Sequence, residues 1–417
     1  MKNLTAIIFM LVALHATAQI TAQWRGPERN GIFPGNNLPE QWPADGPAML
    51  WSAEGIGKGY SSAVSDGKNI FVTGMKEKMD VMSCLSMDGK ILWQTPVGDA
   101  WNGPFPETRT TPTVDGDRVY AISGGGIIAC IETAGGKILW SIDGIKTFDG
   151  VYGTWGVCES PLIYGDKIIY TPAGNKTTMA ALDKMTGKTI WMSESLMDTT
   201  AYVSPRLIKY GGKEIIVTLT ERWFFGVDAS TGKILWKYDF ASLLPEKGLQ
   251  IWPGAPRTNT NTPLYDNGMI YITGGYDHAG SMFRLSETGD AITQVWVDTT
   301  LDCHHGGVVK VGDYIYGSNW IDNSKGNWCC LDWKTGKTMY ETKWFTKGAI
   351  IAAGNMLYCF DEKNGNLGLV RATPEKFDLV SSLKVTLGKG PFWAHPTIYN
   401  GLLIVRHGDV VVVYKMV

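Results

Sequence analysis

The feature that most constrains this 417-residue chain is a unit that recurs along most of its length. "CLSMDGKILW" ends at Trp93, "CIETAGGKILW" at Trp140, "ALDKMTGKTIW" at Trp191 and "GVDASTGKILW" at Trp236. "RLSETGDAITQVW" ends at Trp296, "CLDWKTGKTMY" at Tyr340, and a degenerate copy ends near Val380. The interval is about 45 residues, the length of one propeller blade, and such a unit buries its apolar face only by stacking on its neighbours.

Within a unit the pattern reads as four short strands. Thr111 to Trp140 shows the plan: a strand to the Asp115-Gly116-Asp117 turn, "RVYAIS", "GIIACIE", a turn at Gly135-Gly136, then "KILW". Glycine supplies the positive φ that tight hairpins require. The Asp-x-x-Thr-Gly element at Asp183, Asp228 and Asp332 reads as a turn capped by its own aspartate. The last copy, His395 to Tyr414, supplies only three strands, while a spare "AMLWS" at Ala48 to Ser52 carries Trp51 in the outer-strand position. Pairing that strand with the final blade closes the ring and removes its open edges. The expectation is an all-β, eight-bladed β-propeller of four-stranded blades, closed by an N-terminal outer strand on the last blade.

Ala181 to Trp191, "ALDKMTGKTIW", resembles the repeat signature of the pyrroloquinoline-quinone (PQQ) propeller family, and the likeness extends over nearly the whole chain beyond residue 18. The resemblance implies that the outer-strand tryptophans pack between blades. It also implies either of two functions, because the repeat builds quinoprotein alcohol and sugar dehydrogenases and also non-catalytic scaffolds such as the outer-membrane assembly lipoprotein BamB. The opening "WRGPERNGIF" and closing "HPTIYNGLLIVRH" are similar to a group of exported bacterial PQQ-like proteins.

The N-terminus reads as a signal peptide over residues 1–18: Lys2, an apolar run from Leu4 to Leu14, and small residues at Ala16-Thr17-Ala18. That run is too short for a membrane span, and the first cysteine, Cys84, is too distant to carry a lipid there. Residues 19–417 then form one domain, periplasmic or secreted. Net charge is −2 with no basic cluster, which excludes a nucleic-acid partner. Cys84, Cys130 and Cys330 share one repeat position, where a buried thiol serves as a small apolar group. Cys329-Cys330 is similar to the vicinal disulfide of quinoprotein dehydrogenases, but strand neighbours point to opposite faces.

The first strand of each blade lines the channel, so the segments leading into those strands converge. Aligned on the recurrent Ser/Thr-Pro, they contribute Tyr60, Arg109, Glu159, Tyr202, Asn261, His304, His305, Lys347, Trp393 and His395. Arg109 and Lys347 suit the carboxylates of an anionic ligand, Glu159 and Asn261 offer oxygen ligands to Ca²⁺, and Trp393 with Tyr202 or Trp252 suits a planar ring. His304 or His305 suits general-base work. By resemblance, Arg109, Tyr202, Lys347 and Trp393 would hold PQQ, Glu159 and Asn261 would hold Ca²⁺, and Asp302 or Asp277 would be the family's aspartate base. The competing readings are a scaffold propeller, or a carbohydrate propeller using Trp101, Trp155, Trp252, Trp320 and Trp393. A small molecule or a carbohydrate is the expected ligand, and a closed ring requires no protein partner.

Overall fold

Four of the outer tryptophans are anchored by the turn of the following blade. Trp51 Nε1 donates to Met87 O (2.9 Å), Trp93 to Thr133 O (2.9 Å), Trp140 to Lys184 O (3.0 Å) and Trp191 to Ala229 O (3.2 Å). The indole lies flat on that turn's glycine, so a Cβ on Gly232 would sit 2.4 Å from the Trp191 ring. The aspartates do what the motif predicts: Asp183 Oδ1 accepts from Met185 N (3.0 Å), Thr186 N (2.8 Å) and Thr186 Oγ1 (2.8 Å). Sequence, local turn and inter-blade packing are thus one device.

The computed structural model describes residues 22–35, 37–243 and 258–417. Among the described residues eight blades each hold four antiparallel strands, running from an inner strand such as Thr113–Asp115 to an outer one such as Ile138–Asp143, and one of these sheets gains a fifth, parallel strand at Ile32–Phe33. Every outer pair contains a register shift at one repeat position, and in six blades the extra residue there immediately precedes the tryptophan. Such a bulge re-aims the side chain that follows it. In the degenerate seventh copy Ser381 occupies that position, and its hydroxyl accepts from Trp42 N (3.0 Å). Ring closure is as expected, with Ala48–Glu54 pairing antiparallel to Val410–Lys415 and Trp51 opposite Val413. All seven cysteines are free thiols, Cys329 and Cys330 included. No helix among the described residues is long and apolar enough to cross a membrane.

One feature was not legible as structure in the sequence. The segment before the closing strand crosses the ring, from a bridge between Ala22 and Val114 to a parallel pairing of Ile32–Phe33 with Ala352–Ala353. On the way, Arg29 donates to Ser160 O (2.8 Å) and Pro161 O (2.9 Å), and Trp24 Nε1 to Thr262 Oγ1 (3.2 Å). Arg25 donates to Val308 O (2.6 Å) and Ile350 O (3.0 Å). Both arginines are buried with left-handed backbones (φ 55° and 53°), a cost that the surrounding hydrogen bonds offset. This segment is a plug that ties inner strands of separate blades together.

Candidate functional site

Above the plug, the segments leading into the inner strands enclose a cavity of about 440 Å³, within the range of small-molecule pockets. Tyr60, Arg109, Tyr202, His304, His305, Lys347, Trp393 and His395 line it; Glu159 and Asn261 do not. Glu159 is buried behind the wall, where its Oε2 accepts from Thr171 N (3.0 Å) and its Oε1 from Thr171 Oγ1 (3.3 Å). Burial pushes its carboxyl up to about 8. Asn261 Nδ2 donates to Cys303 O (2.6 Å) and His304 O (2.7 Å), holding the histidine loop in place. The Ca²⁺ pair implied by the family is therefore corrected: both residues are engaged in the scaffold, and they are not presented to the cavity. Among the described residues no three His, Cys, Asp or Glu side chains are grouped to hold a metal.

The implied aspartate base fares no better. Asp302 is buried and accepts from Asp277 N (2.7 Å), burial raises its carboxyl to about 8, and neither aspartate lines the cavity.

The histidines face a different partner from any the alignment proposed. Lys347 Nζ lies 2.7 Å from Glu362 Oε1 and donates to Asp322 O (2.9 Å). His305 Nε2 stands 3.2 Å from Glu362 Oε2, within ion-pair range but not aligned as a hydrogen bond. Burial holds both His304 and His305 below the usual imidazole range, with Glu362 opposing this at His305. Both rings are therefore neutral at pH 7. Arg109 Nη1 donates to Glu107 O (3.0 Å) and Nη2 to Phe105 O, and the guanidinium lies 5.6 Å from the Tyr60 ring centroid.

The aromatic wall is a bowl of tilted rings. Tyr60 meets Trp393 at 4.7 Å and 52°, Phe105 meets Trp393 at 5.8 Å and 55°, and Phe105 meets Trp155 at 5.7 Å and 60°. His305 meets Trp393 at 5.2 Å and 58°, and Tyr276 meets His304 at 4.7 Å and 67°. Of the predicted tryptophan set, Trp155 and Trp393 line the cavity. Trp320 stands behind Tyr276 (5.0 Å) and Trp101 beside Tyr152 (5.8 Å), while Trp252 lies outside the described residues.

Sequence reasoning missed Glu362, Tyr276, Phe105 and Trp24. Glu362 and Tyr276 sit on loops between second and third strands, which open on the same face as the segments that were aligned. Surveying both loop classes would have found them. Trp24 belongs to the plug, which no repeat predicts.

Taken together, fold and site define a PQQ-repeat propeller with a plugged channel and a small-molecule cavity at its funnel. The chain belongs to the family described as outer membrane protein assembly factor BamB, which matches residues 40–145 and 77–342. It is similar to BamB from Moraxella catarrhalis (15% identity, TM-score 0.62, covering 88% of this chain and 99% of that one). It is also similar to quinohemoprotein alcohol dehydrogenase from Comamonas testosteroni (11%, TM-score 0.68, 93% and 79%). A europium-containing methanol dehydrogenase is a third likeness (13%, TM-score 0.55, 94% and 90%). A comparison with curated proteins finds no match. Identities this low carry the fold, not the activity.

The residues present do not fit a quinone with its Ca²⁺. The metal pair is committed elsewhere, Lys347 is neutralised by Glu362, and the adjoining cavity rings among the described residues are inclined to one another by 52° to 67°.

Proposed function

We propose that this protein is an exported, periplasmic or secreted propeller that binds a saccharide in its funnel without PQQ or Ca²⁺. The observation that carries the reading is the tilted aromatic bowl around Trp393. A puckered sugar ring presents C–H groups in several directions, and a concave set of inclined faces meets them where a flat slot would not. Polar groups at the wall (Arg109, Lys347, Glu362, Tyr202) supply the few directional contacts that orient such a ligand. The apolar ring faces supply most of the buried area.

Tryptophan fluorescence tests this directly, since Trp24, Trp155 and Trp393 are in the wall. Titration with a panel of disaccharides is expected to give saturable quenching. Trp393→Ala is expected to weaken binding about tenfold, the size of one aromatic contact of about 1.4 kcal/mol. Saturable PQQ binding that requires Ca²⁺, with no response to any saccharide, would overturn the reading.

A further inference from the structure

Of the two cations that line the cavity, Arg109 is the one with no ion pair among the described residues. Lys347 is matched by Glu362 at 2.7 Å. His304, His305 and His395 add no charge, because burial keeps all three neutral at pH 7. Arg109 lines the cavity yet is bonded only to the backbone carbonyls of Glu107 and Phe105, with no ion pair among the described residues. The nearest carboxylate in sequence, Glu107, receives the Tyr60 hydroxyl instead. Beneath the floor, Arg25 adds a second guanidinium whose partners are two carbonyls and the His395 ring.

Arg109 is half-buried at the wall, within reach of an anion that enters with the ligand. We propose that the saccharide bound here is a hexuronate, and that its single carboxylate is taken by the Arg109 guanidinium. Arg109 meets only backbone carbonyls and faces the cavity, so a carboxylate on the ligand is the group that pairs with it. Arginine's planar fork matches a planar carboxylate in a paired geometry that a tetrahedral sulfate ester reproduces less well. Tyr60 and Trp393, which are 4.7 Å apart beside that guanidinium, then form an inclined corner against one side of the same ring.

This inference rests on the saccharide reading and is tested so that the two can fail separately. Disaccharides of glucuronate, galacturonate and mannuronate are titrated against the wild-type protein beside their methyl esters, which keep the shape and lose the charge. A sulfated disaccharide completes the set. The best-bound acid is expected to bind at least tenfold more tightly than its own ester, with the difference shrinking as salt is raised. Arg109→Gln is expected to abolish that preference, and Arg109→Lys to restore part of it. Equal binding of acid and ester, or tighter binding of the sulfated sugar, overturns the hexuronate assignment and leaves saccharide binding intact. Failure of every acid and ester while neutral disaccharides bind overturns the hexuronate assignment alone, and failure of all of them overturns both. If Arg109→Gln does not fold, the comparison of acid with ester on the wild-type protein decides the matter alone.

Discussion

Arg25 Nη1 lies 2.8 Å from His395 Nδ1, and the other ring nitrogen of His395 lies 2.9 Å from His305 O. A guanidinium has no acceptor, so the contact fixes Nδ1 as the acceptor and leaves Nε2–H to donate to the His305 carbonyl. The plug thereby reaches through a neutral histidine to the loop that carries the cavity's histidine pair. Burial lowers the Arg25 guanidinium to about 10, still charged at any working pH.

Removing Arg25 should unfasten that arrangement. Arg25→Ala leaves Val308 O and Ile350 O buried without a donor and is expected to lower stability by about 3 kcal/mol. A urea unfolding curve measures this. Arg25→Lys keeps the charge but cannot serve three acceptors in a fork, and should recover only part of the loss.

The tryptophan–glycine contact between blades can be isolated with two alanine substitutions. Gly212 and Gly232 both have φ of +73° to +79°, but a Cβ on Gly212 meets nothing within 4 Å while one on Gly232 strikes Trp191. Gly212→Ala is expected to cost about 1 kcal/mol for the left-handed backbone alone. Gly232→Ala should cost a further ~1–3 kcal/mol for overpacking. Equal melting temperatures for the two variants would show that the indole yields without cost.

Stability should fall as pH rises from 6.5 to 8. Glu159 and Asp302 have folded values near 8, above their ordinary values of 4.5 and 3.8, because both are buried. Over this window the folded protein holds protons that the unfolded chain has released, so ΔG of unfolding declines with pH. The buried histidines, lowered in the folded state, oppose this between about 6.5 and 7.5, where the unfolded imidazoles still release protons, and are neutral in both states above it, so the slope is steepest toward pH 8. Melting temperatures across this range should show the slope, and Glu159→Gln with Asp302→Asn should flatten it.

Asn261 gives a test of scaffold against metal ligand. Asn261→Ala leaves the Cys303 and His304 carbonyls without their amide donor and is expected to cost about 2 kcal/mol and to weaken ligand binding through the displaced histidine loop. Added Ca²⁺ should change the melting temperature of neither the wild type nor this variant. A calcium-dependent rise in the wild type that Asn261→Ala removes would return the residue to the metal role.

The repeat made the architecture legible because a blade is a local object. Its turns, its bulge and its tryptophan all lie within one period, and the contacts that stack blades involve the same positions in each copy. Spacing alone thus determined eight blades, the closing strand at Trp51, the structural role of Asp183, Asp228 and Asp332, and the face on which Tyr60, Arg109, His304, His305, Lys347 and Trp393 converge. Three things were decided only by the tertiary structure: the plug of Arg25 and Arg29, the pairing of Lys347 with Glu362, and the withdrawal of Glu159 and Asn261 into the scaffold. The plug joins residues 131 to 325 apart in the chain, brought together by ring closure, which no local period records. Lys347–Glu362 and Glu159–Thr171 lie within single blades, but these residues are not shared by the other copies, so the repeat does not show which side chains meet there.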